Sequence, residues 1–174
     1  MSEQANAIPA VMRAWTAGDD GGITLGELPV PTPEPGELVV KVEVCGVCRT
    51  DLHVIDHELD VHRHHVVPGH QVVGRVVAGF VTDSIPLGSR VGIAWLRSTC
   101  GACEYRRSGR ENLCAKSEYT GWDADGGYAE YTTVPAAYCY VLADTDDARA
   151  IAPLLCAGII GYRSLVRAKL PPGG

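Results

Sequence analysis

The residues that could do chemistry fall in a few short segments. Cys45-Gly46-Val47-Cys48 runs into Arg49-Thr50-Asp51-Leu52-His53, and Pro68-Gly69-His70-Gln71 follows. Cys100-Gly101-Ala102-Cys103 and Cys114 make a second cluster, and Cys156 stands alone in an apolar run. Seven cysteines and six histidines in 174 residues suit either a disulfide framework or a set of metal ligands. The choice turns on compartment. Residues 1–10 show no basic segment followed by an apolar stretch, so no export signal is read and the reducing cytoplasm is expected. There, cysteines clustered with histidines are expected to ligate metal or to act as catalytic groups.

Strands must position most of these residues. Leu38, Val40, Val42 and Val44 alternate with Val39, Lys41 and Glu43, the period of a half-buried strand. The preceding Pro29-Val30-Pro31-Thr32-Pro33-Glu34-Pro35-Gly36 can only be a loop. Further β-branched or aromatic runs at 72–81, 91–95, 128–134 and 138–142 are separated by turn chemistry such as Pro86-Leu87-Gly88-Ser89 and Asp125-Gly126-Gly127. Asp144-Thr145-Asp146-Asp147 offers helix N-caps, and 152–170 is apolar with Arg and Lys gathered toward its end. Pro171-Pro172-Gly173-Gly174 then stops a helix. The expectation is a mainly β fold, a partly open barrel with C-terminal helices.

Composition narrows the function classes. With 46% hydrophobic and 21% charged residues the chain is globular, and its length suits one domain with or without a tail. A net charge of −6 without any Lys/Arg run argues against a nucleic-acid or anionic-membrane partner, and no apolar run is long enough for a span.

Val44-Cys45-Gly46-Val47-Cys48-Arg49-Thr50-Asp51-Leu52-His53, Pro68-Gly69-His70-Gln71-Val72-Val73-Gly74 and Ala152-Pro153-Leu154-Leu155-Cys156-Ala157-Gly158 together resemble the zinc-dependent alcohol dehydrogenases of the medium-chain dehydrogenase/reductase superfamily. The resemblance covers nearly every residue from 12 to 174. It implies a GroES-like catalytic domain over 1–150, then a segment 151–174 leading toward a nicotinamide-binding domain. No two of the 20 glycines are separated by a single residue, so the Rossmann G-x-G-x-x-G turn is absent from this chain. The resemblance also implies oxidation of a primary or secondary alcohol to aldehyde or ketone. The alkoxide would form on zinc, with hydride passing to NAD or NADP; by itself the chain is expected to be inactive.

The matching positions make Cys48, His70 and Cys156 the catalytic zinc ligands, leaving a fourth position open for water or substrate. Thr50 matches the hydroxyl that accepts the alcohol proton, and His53 the imidazole that passes it to solvent. Asp51 matches the carboxylate that orients the histidine ligand, and Arg49 a cation that meets the cofactor pyrophosphate. Gln71 stands where the family usually has Glu. Trp95 matches a wall of the substrate pocket, where an indole favours small primary alcohols, although a plain core role fits it equally. Trp122 matches the family without an assigned role. Cys45 and Cys139 are expected to be structural. His57, His62, His64 and His65 are expected to sit on a solvated loop over the site rather than to build another metal centre.

The segment from Cys100 to Cys114 resembles the family's structural zinc lobe, placed at 98–116, which has four cysteines spaced by two, two and seven residues. Here the third is Arg106. A guanidinium has no lone pair to offer, so the lobe is expected to be a degraded zinc site built on Cys100, Cys103 and Cys114, with Glu104 the nearest acidic substitute. A small alcohol or aldehyde is the expected substrate, with homo-oligomers possible for a longer form. The rival readings are a zinc-binding module without catalysis and, against the acidic balance, a zinc-ribbon nucleic-acid binder.

Overall fold

The computed structural model describes residues 7–144 and 147–171. Thr145 and Asp146 of the expected helix cap, and Pro172, Gly173 and Gly174 of the expected stop, lie outside them. The chain opens with an antiparallel hairpin, β1 (Val11–Ala17) and β2 (Ile23–Pro29), turned through Gly21 and Gly22, both at positive φ. Next come β3 (Glu37–Gly46), helix α1 (Arg49–Ile55), β4 (Gln71–Gly79) and β5 (Arg90–Ile93). A short pair, β6 (Leu96–Ser98) and β7 (Glu118–Tyr119), forms the neck of the cysteine lobe, which carries α2 (Glu104–Arg107). Then follow β8 (Tyr131–Pro135), β9 (Cys139–Val141), α3 (Ala148–Ile151), a 3-10 turn (Ala152–Leu155) and α4 (Ala157–Ala168).

The central sheet is antiparallel throughout, in the order β8-β3-β4-β5-β9, and it curls into a half-barrel. Two register shifts in β3, after Val39 and after Val42, supply the extra twist a curled sheet needs. One face buries Leu38, Val40, Val72, Val76, Val91, Ile93 and Val134. Val39, expected to face solvent, is buried too. It packs on the opposite face with Met12, Ala14, Val67 and Tyr131, because the first hairpin covers that side. The third cluster, Val73, Ala94, Ala148, Ala152 and Leu155, ties the C-terminal helices to the sheet.

The stretch 152–170 differs from a single apolar helix. Asp147 caps α3, its side chain accepting from the Arg149 amide at 3.0 Å. The axis then bends by 55° between Ala148–Leu155 and Ala157–Ala168. Cys156 sits at the break with φ −132 and ψ −77, outside the helical region. The bend turns α4 away from the core, leaving Ile160, Tyr162, Leu165 and Val166 exposed. Among the described residues no single helix is long and apolar enough to cross a membrane.

Candidate metal centre

Three elements deliver three ligand atoms to one point. Cys48 follows β3 by two residues and caps α1, His70 leads into β4, and Cys156 occupies the helical break. Their ligand atoms all lie within 4.8 Å of one another, with the two sulfurs 3.8 Å apart. Two sulfurs each about 2.3 Å from a tetrahedral zinc would stand about 3.8 Å apart, so the donor set and its spacing fit that ion.

Asp51 is the joint of the site. Its carboxylate accepts from the Cys48 amide at 2.8 Å, from His70 Nδ1 at 2.8 Å and from the Tyr128 hydroxyl at 3.1 Å. The first bond closes the N-terminus of α1 as a capping box does. The second commits Nδ1 to donating, so that the Nε2 lone pair is free for a metal. Asp51 and His70 are both buried, which keeps water from competing for these bonds. Tyr128 escaped sequence reasoning. Burial first and the Asp51 carboxylate second hold its phenol far above the ordinary range, so it stays a donor.

The other expected positions cluster around this core. Thr50 Oγ1 is 3.8 Å from Cys48 Sγ. His53 lies one turn along α1 from Thr50 and bonds through Nδ1 to Glu58, which also meets Arg49 at 3.8 Å. Glu58 had no motif to mark it. Gln71 is buried and its side chain hydrogen-bonds Cys156, whose thiol is held above its usual range by burial and by the Cys48 sulfur. Trp95 stands edge-on to the His70 ring at 5.0 Å, and stacks on Tyr119 at 4.9 Å and on Trp122 at 5.9 Å. Trp122 thus belongs to one aromatic wall with Trp95, and His62 stacks on its far side at 3.9 Å.

The histidine-rich loop gathers no metal-like group among the described residues. His62 pairs with Asp123, and His64 and His65 both turn to Asp19.

In the lobe, Cys100, Cys103 and Cys114 do converge, their sulfurs within 4.8 Å of one another. Glu104 is not part of the group: it is largely exposed and pairs with Arg110 at 3.6 Å. Arg106 is engaged by Glu111 at 3.1 Å. Backbone N–H groups of Ala102 and Cys103 lower the Cys100 thiol to about 7, whereas burial pushes Cys45 and Cys139 up to about 12. In the metal-free chain Cys100 is therefore the thiol among these most ready to ionise to thiolate, the form that reacts. Iodoacetamide is expected to modify Cys100 first and to spare Cys45 and Cys139 up to about pH 10. Peptide mapping against time checks this, and early labelling of Cys45 would refute it.

With fold and geometry in place, the comparisons with known proteins agree. Residues 34–144 match the alcohol dehydrogenase GroES-like domain, and the chain belongs to that family. It is 55% identical over 97% of its length to AdhA of Mycobacterium tuberculosis, a "probable alcohol dehydrogenase", and covers 52% of that protein. A cobalt- and zinc-bound thermostable alcohol dehydrogenase from Pyrobaculum aerophilum superposes with a TM-score of 0.85 at 28% identity, over 94% of this chain and 50% of that one. Acetophenone reductase from Geotrichum candidum, in complex with NAD, gives 0.83 at 28% identity, over 95% and 50%. The chain spans about half the length of the relatives it matches.

Proposed function

We propose that this chain is the catalytic domain of a zinc-dependent alcohol dehydrogenase acting on small alcohols or aldehydes with NAD or NADP in the cytoplasm. The observation that carries the reading is the convergence of Cys48, His70 and Cys156 within 4.8 Å. Two thiols and one imidazole are the ligand set of an open zinc site, not of a closed structural one. When bound, the zinc supplies Lewis acidity at its fourth position, where it lowers the pKa of a hydroxyl.

The protein's own side chains do the rest. Asp51 fixes both the rotamer and the tautomer of His70. Thr50 takes the proton from the alcohol, and His53 on the same face of α1 carries it to solvent, with Glu58 holding the imidazole in place. Arg49 offers its guanidinium to the cofactor pyrophosphate, exchanging its long contact with Glu58 for that stronger one. The wall of Trp95, Tyr119 and Trp122 narrows the approach beside His70 and excludes bulky substituents. Gln71 brings a neutral amide to Cys156, so no second carboxylate competes with substrate for the metal.

The alternative reading is a zinc-binding module without catalysis, in which the metal's fourth position is closed. Cobalt substitution separates the two. Co(II) bound by Cys48, His70 and Cys156 is expected to give a tetrahedral visible spectrum that shifts when trifluoroethanol enters the open position. A spectrum indifferent to alcohols would mean a closed centre and would decide for the module. The chain alone is expected to reduce neither NAD nor NADP, because hydride transfer needs a nicotinamide held beside the alcohol. Turnover by the chain alone would overturn that division of labour.

A further inference from the structure

The lobe's three thiols are gathered as if for a metal, yet among the described residues they fall one donor short of a closed zinc site. A structural zinc is four-coordinate. Cys100, Cys103 and Cys114 supply three donors within 4.8 Å, and among the described residues no other His, Cys, Asp or Glu joins them. The lobe's two carboxylates are both occupied, Glu111 by Arg106 and Glu104 by Arg110. Arg106, at the position a fourth donor would take by spacing, has none to give.

What remains directs backbone amides at the sulfurs. Cys103 Sγ accepts the Arg106 amide at 3.4 Å, and Cys114 Sγ accepts the amides of Cys100 at 3.5 Å and Lys116 at 3.4 Å. Cys100 Sγ faces the backbone N–H groups of Ala102 and Cys103. Every sulfur thus has at least one amide directed at it, which stabilises a thiolate more than a thiol. Between residues 100 and 116 four cations, Arg106, Arg107, Arg110 and Lys116, outnumber the two acids. That surplus offsets the charge of three thiolates more closely than a lobe without it would.

We propose that the lobe is a three-thiolate site for a soft, thiophilic ion content with three ligands, monovalent copper being the case tested, and that Arg106 leaves zinc one protein ligand short of a closed, firmly held site there. Thiolates suit soft ions, and Cu(I), softer and lower in charge than Zn²⁺, is satisfied by a trigonal sulfur environment, whereas a structural zinc takes four ligands. The charge argument points the same way. Cu(I) leaves the three-sulfur cluster more negative than Zn²⁺ does, and the cationic surroundings tolerate that excess.

The test titrates the reduced, metal-free chain anaerobically with acetonitrile-stabilised Cu(I) against bathocuproine disulfonate, and separately with Zn²⁺ against a chromophoric chelator. X-ray absorption at the copper edge reads the ligands. The expected result is that the first, tightest copper bound per chain has sulfur neighbours only. Cys103→Ser is expected to weaken it at least 100-fold, beyond what loss of an outer partner costs (about 10–100-fold). Arg106→Cys should add a second chelator-resistant zinc that the unsubstituted chain lacks. This variant retains all three native thiols, so it judges the proposal even if Cys103→Ser does not fold. Copper in a mixed sulfur–nitrogen shell, unaffected by Cys103→Ser, would place it with His70 and overturn the proposal. So would zinc held at the unsubstituted lobe as firmly as in Arg106→Cys. The outcome is independent of the cobalt experiment, which reads the other centre.

Discussion

Cys48→Ser is expected to remove the zinc bound by the site beside Trp95 while leaving the fold in place. Serine's hydroxyl is un-ionised at neutral pH and a poor match for zinc, so two strong ligands remain where three stood. The affinity loss should exceed the roughly 10–100-fold that follows removal of an outer-sphere partner. The backbone has little reason to move. Cys48 is the N-cap of α1, a position that serine favours, and the Asp51 carboxylate still accepts the residue-48 amide. Metal analysis by mass spectrometry should show the loss of one zinc per chain, with melting in chelator unchanged from the parent. Cys45→Ser is the control: Cys45 packs beside the core and lies outside the metal-like group. Equal zinc in parent and Cys48→Ser would remove the ligand assignment.

Gly126→Ala is expected to cost about 3 kcal/mol of stability, the upper end for one added methyl group. A Cβ at this position would stand 2.1 Å from the Gly69 carbonyl oxygen and 2.7 Å from that of Pro68. Both are backbone atoms of the strip 67–69, to which 126–128 is laced by Gly126 N to Val67 O at 2.7 Å, Gly127 N to Gly69 O at 2.8 Å and Tyr128 N to Pro68 O at 3.0 Å. The methyl can be accommodated only by prising the strips apart, and His70 follows directly on the one that moves. Gly26→Ala on β2, where an added Cβ meets nothing within 4 Å, should change stability by no more than about 0.5 kcal/mol. Urea melts of the two variants decide it, and equal midpoints would mean that the clasp yields cheaply. Metal affinity should fall with stability in Gly126→Ala, because the clasp also carries Tyr128 to Asp51.

The candidate site was legible in the sequence wherever its partners are neighbours in a motif. Cys48, Thr50, Asp51 and His53 fall within one helical turn and a half, and their spacing announces them. Tyr128 and Asp51 are 77 residues apart, joined only by the register that lays 126–128 beside 67–69. No local pattern encodes that bond. Glu58 was hidden for another reason: its link to His53 depends on how the chain leaves α1, through His57 at φ 56, which a propensity reading does not anticipate. The strand alternation of β3 was readable, but its meaning changed. Val39 is buried because a separate hairpin covers the second face, and burial by a distant segment overrides the two-residue period. In the C-terminal run, apolar composition signalled helix correctly and concealed the break at Cys156, where tertiary packing prevails over propensity.

That break has a consequence in polymer terms. Cys48 and Cys156 are 108 residues apart along the chain and 3.8 Å apart in space. An ion shared between them acts as a removable rivet closing nearly two-thirds of the polypeptide into a loop. A permanent bridge across a loop of about 100 residues is worth on the order of 4–5 kcal/mol by chain entropy alone, and a metal with His70 as a third attachment restricts the unfolded chain further. The rivet would sit at the 55° elbow between the two C-terminal helices, where α4 leaves the sheet. The atom proposed to polarise the substrate would then be the same atom that fastens this elbow, and its departure would remove the chemistry and that added chain restraint together.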